Sequence, residues 1–199
     1  MTLEGIDGAG KSTIWKNIEP EDFALQPNRV TFTKEPTDND CGKLLRENLK
    51  NDVESPMTEL FLFMADHAKH VDSVIKPSLN NGELVICDRY IDSRCAYQGY
   101  TLHELHPRPI EYVYELHKFQ KEIGWTVWPT LTIFIDVPID VAINRLGTDE
   151  KFETRDRLEE IKRNYEYLIE RDPKRFKKID GTQEIDEVVD SVVECIQHI

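Results

Sequence analysis

The run Gly5-Ile6-Asp7-Gly8-Ala9-Gly10-Lys11-Ser12 fits the pattern G-x-x-x-x-G-K-[ST]. Glycines at these spacings let successive backbone N–H groups turn inward on phosphate oxygens, and the helix that starts there adds its dipole. Lys11 is placed to neutralise β- and γ-phosphates, and the Ser12 hydroxyl to bind Mg²⁺. Average composition yields a chance match in a chain this long with a probability on the order of 1%. The flanks agree: Met1 to Glu4 reads as a short strand and Lys11 to Ile18 as a helix. A dinucleotide-binding Gly-x-Gly-x-x-Gly loop is excluded, because Lys11-Ser12 stands where that motif continues into a plain helix.

Beyond the loop, short apolar runs alternate with longer helical patterns. Strands are expected at Arg29 to Thr33, Glu83 to Cys87, Leu131 to Ile135 and Arg175 to Ile179. Helices are expected at Cys41 to Asn51, Pro109 to Ile123, Ile139 to Arg145, Phe152 to Ile169 and Glu184 to Gln197. Ser55-Pro56 reads as an N-cap followed by proline at the first helical position, opening a long helix towards Leu79. This alternation implies an α/β fold, a parallel sheet with helices on both faces, in one domain over residues 1–199. The charged stretch 147–157 has almost no core-forming residues and is the candidate mobile flap.

Composition removes whole classes of function. With 199 residues, 39% hydrophobic and 32% charged, the chain has a globular make-up. No apolar run approaches the roughly 20 residues of a membrane helix, and no basic patch precedes an apolar core at the N-terminus. A cytoplasmic protein is therefore expected. Asp plus Glu number 38 against 25 Lys plus Arg, a net charge of −13. Such a surface repels nucleic-acid phosphates, so any phosphate ligand must be held by local geometry. The acidity also suits a salty habitat without establishing one. The four cysteines form no C-x-x-C pair and read as reduced thiols.

A second constellation, Cys87-Asp88-Arg89-Tyr90, ends a buried strand, where parallel sheets place their ligands. Asp88 suits Mg²⁺ contact through water, and Arg89 suits bidentate phosphate binding. The N-K-x-D and D-x-x-G motifs of a GTPase are absent from suitable places, and a motor would be larger. A kinase of a small phosphorylated metabolite is the reading that remains.

In that context the chain resembles the thymidylate kinases, P-loop nucleoside monophosphate kinases that transfer a phosphoryl group from ATP to dTMP. The matching segments are LEGIDGAGKST, TKEPTD, LFLFMADHAKHVDSVIKPSL, LVICDRYIDSRCAYQG, LTIFIDVPIDVAINR, the charged flap and IDGTQEIDEV. The resemblance implies a five-stranded parallel sheet, a short lid and a homodimer, with the Ser55 to Leu79 helix as one contact. It places ATP on Gly5, Ile6, Asp7, Gly8, Ala9, Gly10, Lys11, Ser12 and Thr13, with Gly181-Thr182-Gln183 bordering adenine. For dTMP it implies Asp7 near the sugar 3′-hydroxyl, Glu35-Pro36 at the monophosphate, and Phe63 stacked on thymine. Arg89 would clamp the phosphate, with Tyr97 against the deoxyribose and Gln98 also at the dTMP site. From helical spacing alone Phe61 and Phe63 would both be core.

The attacking phosphate oxygen is already ionised, so no general base is required; catalysis falls to positioning and charge neutralisation. Some members carry an arginine within the P-loop and others within the lid. Gly8 occupies the loop position here, which leaves Arg145, Lys151, Arg155 and Arg157 as candidate lid cations, with the acidic Glu153 also in the lid. Many members also have an arginine four residues after the stacking Phe; here it is His67, whereas Arg94 stands where Asn, Ser or Thr is usual. The expectation is an exchange: Arg94 reaches the base or phosphate from the opposite wall, and His67 keeps a weaker polar contact. Two rival readings stand beside the kinase of dTMP. A deoxynucleoside kinase would need a carboxylate base beside a hydroxyl acceptor, and a P-loop regulator would have lost its catalytic cations.

Overall fold

The computed structural model describes residues 1–23, 29–50, 55–146 and 155–197. Five strands, β1 (Thr2–Glu4), β2 (Val30–Lys34), β3 (Leu84–Asp88), β4 (Thr132–Asp136) and β5 (Phe176–Asp180), form one sheet. Its order is β2-β3-β1-β4-β5 and every pairing is parallel. Thr132, Ile133, Phe134 and Ile135 of β4 are all buried. Burial on alternating sides means that helices cover both faces. The strand order reverses at β1, so the P-loop that follows it opens into the crevice where parallel sheets bind ligands.

Four strands run one residue further than their apolar runs suggest. The added residues are Lys34, Asp88, Asp136 and Asp180, and they pair across the ladder as Lys34 with Asp88 and Asp136 with Asp180. Hydrophobicity marks the buried part of a strand; these polar termini keep the ladder register while facing the crevice.

The helices are α1 (Lys11–Asn17), α2 (Asp40–Lys50), α3 (Pro56–His70), α4 (Lys76–Asn80), α5 (Ile91–Thr101), α6 (Pro109–Glu122), α7 (Ile139–Arg145), α8 (Arg155–Arg171) and α9 (Ile185–Gln197). A short 3₁₀ turn at Pro20–Phe23 had no counterpart in the pattern. Pro56 occupies the first turn of α3, but Ser55 makes no side-chain capping bond. The long helix is not uniform: a π segment, Val71–Ile75, joins α3 to α4. It directly precedes Pro77, whose ring and missing N–H disrupt a regular i→i−4 ladder.

Helix α5 has no amphipathic signature. Ile91, Asp92, Ser93, Arg94, Cys95, Ala96, Gln98 and Gly99 are all buried, because α5 is wedged between α6 and α8. A helix buried all round, with charges paired internally, shows no apolar stripe for a 3.6-residue period to reveal. Residues 147–154 of the expected flap, with Lys151 and Glu153, lie outside the described residues; its remainder is the first turn of α8. Among the described residues, no helix is long and apolar enough to cross a membrane.

Candidate active site

The P-loop takes the backbone shape its sequence demands. Gly8 has φ +78°, and a Cβ there would sit 2.3 Å from the Ala142 carbonyl oxygen. Only glycine fits. Ile6 and Ala9 bury their side chains, so what they offer a nucleotide is backbone N–H. Lys11 is 5% exposed, and its Nζ donates to the carbonyls of Gly5 (2.9 Å) and Ile6 (2.8 Å). Burial, reinforced by Arg89, pushes its pKa down to about 7. Next to it the Ser12 hydroxyl donates to Asp88 Oδ2 at 3.2 Å.

Asp88 Oδ1 is buried and has no partner among the described residues. A hydroxyl beside a carboxylate with a vacant oxygen is a hard-oxygen donor set that fits Mg²⁺. Behind the loop, Gly8, Gly10, Thr13, Arg145, Gly181 and Thr182 border a cavity of about 570 Å³. Arg145 Nη1 donates to the Gly181 carbonyl at 2.9 Å, which fixes that arginine at the nucleotide side.

On the other side of the P-loop lies a cavity of about 250 Å³. Asp7, Glu35, Pro36 and Phe63 line it, together with Arg89, Arg94, Tyr97 and Gln98 from the end of β3 and from α5. Eight sequence-predicted residues thus share one wall. Phe63 faces it while Phe61, two residues earlier, is 61% exposed, so neither is simply core. Arg89 has φ +65°, unusual for a residue with a Cβ. Its guanidinium bonds the Asp7 carboxylate and Ser93 Oγ and lies 4.9 Å from the Tyr97 ring centre. Burial alone would raise the Asp7 pKa; Arg89, Lys11 and Tyr97 outweigh it and hold Asp7 below the usual carboxylate value. Asp7 borders this cavity and its neighbour Gly8 borders the larger one, so the P-loop stands between the two.

His67 departs from expectation. It is fully buried and absent from the cavity wall. Its Nδ1 lies 2.9 Å from both Glu35 Oε1 and Arg94 Nη2, and its Nε2 lies 2.8 Å from Thr126 Oγ1. Both ring nitrogens are occupied, so the weak substrate contact expected of His67 is not available. Arg94 does reach the wall, but it is also the hub of a buried network. Nη1 donates to Glu35 Oε2 at 2.7 Å and Nε to His117 Nε2 at 3.0 Å, while His70 Nδ1 lies 2.7 Å from Glu35 Oε1. Three of its five N–H groups are engaged in this way. Burial opposes ionisation of Glu35, yet Arg94 and the imidazoles keep it ionised, well below the usual range.

The candidate lid cations separate. Arg155 is turned outward, bonded to Asp140 and 3.6 Å from Glu159. Arg157 lines the smaller cavity, with its guanidinium carbon 5.7 Å from the Tyr100 ring centre. Sequence reading missed Glu59, which also lines this cavity and accepts from Gln98 Nε2 at 2.9 Å. Its place one helical turn before Phe63, on the same face of α3, was the available signal. It also missed Glu4, a fully buried acid discussed below.

A family model described as thymidylate kinase matches residues 3–192, a span that holds the P-loop, the strand-end Asp-Arg pair and the lining of the second cavity. A probable thymidylate kinase of Halobacterium salinarum is 44% identical over 95% of this chain and 90% of its own length. Those of Natronomonas pharaonis (43%, covering 99% and 96%) and Methanococcoides burtonii (41%, covering 100% and 96%) are similarly close. With the family model matching nearly the whole chain and relatives this similar over nearly their full length, the chain belongs to the thymidylate kinase family.

Proposed function

We propose that the protein transfers the γ-phosphoryl group of ATP to dTMP, giving dTDP and ADP. The observation that carries this reading is Arg89, a partly buried cation held by Asp7 on the wall of the smaller cavity, beside the P-loop, where it suits an acceptor that is itself a phosphate. The acceptor oxygen needs no base. Lys11 and Arg89 neutralise the two anions from opposite sides, and the P-loop N–H groups hold the donor in line. Ser12 and Asp88 would hold Mg²⁺, which when bound offsets charge on the β- and γ-phosphate oxygens. Phe63 stacks on the base, Tyr97 walls the sugar, and Glu35-Pro36 shapes the loop opposite Arg89. Gly181 and Thr182 border the adenine.

The rival reading, a deoxynucleoside kinase, needs an accessible basic carboxylate. The described carboxyl whose pKa is pushed up to about 7, by burial and then Asp92, is Glu4. It is sealed: its oxygens accept from Tyr90 N (2.8 Å), Ser93 Oγ (2.5 Å) and Tyr165 Oη (2.9 Å), and it does not border the cavity. Of the three carboxylates that border it, Asp7 and Glu35 are held in the ionised, weakly basic state, and Glu59 accepts from Gln98 Nε2. ATP consumption with thymidine, dTMP and other monophosphates tests the reading. dTMP should be the preferred acceptor, and faster turnover of thymidine would sink it.

The position of Arg157 gives it the task of neutralising the moving phosphoryl group. Arg157→Ala should lower kcat at least about tenfold, the low end for such an arginine, while Arg155→Ala should change it less than about twofold. The reverse pattern would transfer the task to Arg155. The reading also takes the protein as a cytoplasmic homodimer. Phe61 on α3, Tyr112 and Phe119 on α6 and Ile123 just after it are each more than half exposed, and such apolar surface favours self-association.

A further inference from the structure

Gln98 is 1% exposed and borders the acceptor cavity, and its two amide atoms are in different situations. Nε2 donates to Glu59 Oε1 at 2.9 Å. Oε1 is buried and has no partner among the described residues. A primary amide can turn over by 180° with almost no change of shape, so shape alone cannot fix which end meets a ligand. A carboxylate can, because it only accepts: it captures the NH₂ end and leaves the oxygen for the ligand. Glu59 borders the same cavity from α3, one turn before Phe63.

We infer that Glu59 is a positioning residue for base selection: by holding the Gln98 amide nitrogen, it reserves the amide oxygen for a pyrimidine that carries an imide N–H. This rests on the dTMP kinase reading and adds the chemical class of base to it. Thymine and uracil bear N3–H, which gives the buried oxygen its missing donor. Cytosine has a bare N3, which would set lone pair against lone pair. The unengaged N–H groups of Arg94 on the same wall suit the adjacent ring carbonyl, and they oppose the amino group that cytosine has there.

The experiment measures kcat and KM for dTMP, dUMP and dCMP in the full-length wild type, in Glu59→Gln, and in the exchange variant Glu59→Gln/Gln98→Glu. KM for ATP and the melting temperature serve as controls for folding. In Glu59→Gln the amide at 98 becomes free to present either end. KM for dTMP and dUMP should rise together by about tenfold with kcat nearly unchanged, and the preference for dTMP over dCMP should shrink by about tenfold, the worth of one ordinary hydrogen bond. The exchange variant again has an acceptor-only oxygen at position 98, bonded by the new amide at 59, and should recover most of the preference for dTMP.

Unchanged KM and unchanged preference in Glu59→Gln would overturn the inference. So would a parallel loss of activity on all three acceptors that the exchange fails to restore, since that marks a merely structural role. A wild type with no preference for dTMP would instead refute the substrate reading itself, and is seen before any variant is made.

Discussion

Arg89→Ala should lower kcat/KM for dTMP by about 10³-fold while moving KM for ATP only a few-fold. Two charge-assisted hydrogen bonds to a phosphate together contribute about 4 kcal/mol. The substitution also strips Asp7 of its principal cation. That carboxylate, held low in pKa by Arg89 and Lys11, would then face the acceptor phosphate with one counter-charge instead of two. Arg89→Lys should recover no more than about tenfold, because a point charge cannot bond Asp7, Ser93 and a phosphate at once. Steady-state kinetics with each substrate varied in turn measure both effects. A loss below about tenfold would move the acceptor phosphate away from Arg89.

Arg94→Ala should act on stability and on catalysis together. Removing the cation leaves Glu35 buried beside two imidazoles, and breaking such a pair costs about 3–5 kcal/mol. At about 2–4 °C per kcal/mol for a chain of this size, the melting temperature should drop roughly 6–20 °C. kcat/KM for dTMP should fall roughly 10- to 150-fold, the range for a lost hydrogen bond to a charged group, with KM for ATP nearly unchanged. Adding Glu35→Gln removes the stranded charge and should return much of the stability but none of the dTMP affinity. Recovery of both would make Arg94 purely structural.

The same network sets a pH signature. Burial, then Arg94, pushes His67 and His117 below the usual imidazole value of 6.5. The unfolded chain therefore binds protons near that pH while the folded one does not, and wild-type stability should fall as pH drops from about 7 towards 5. Denaturant midpoints should show a shallower fall in the Arg94 variant, where one cause of the depression is gone.

How much of this was legible in the sequence depends on whether a residue acts alone or through partners. Gly5 to Ser12 was readable because the loop's shape is local: the spacing of its glycines matches the positive φ that Gly5, Gly8 and Gly10 adopt. Asp88 and Arg89 were readable because they end a strand, although the strand itself was placed one residue short. Helix α5 was not, since its polar residues point into the protein and their partners, Glu35, His117, Glu59 and Tyr165, lie far away in sequence. The exchange of guanidinium between positions 67 and 94 was half visible. Arg94 does line the cavity, but nothing local announces that His67 supports it from behind.

Gly8 carries a consequence for the ancestry of the site. The space a side chain would need there is filled by the carbonyl of Ala142, midway along α7. An arginine at position 8 is therefore not one mutation away; α7 would first have to retreat, taking Arg145 and its bond to Gly181 with it. The two styles of supplying the cation, from loop or from lid, are separated here by a valley that no single substitution crosses. On the proposed reading, variation in catalytic power is expected at the beginning of α8, where Arg157 stands, rather than in the cradle.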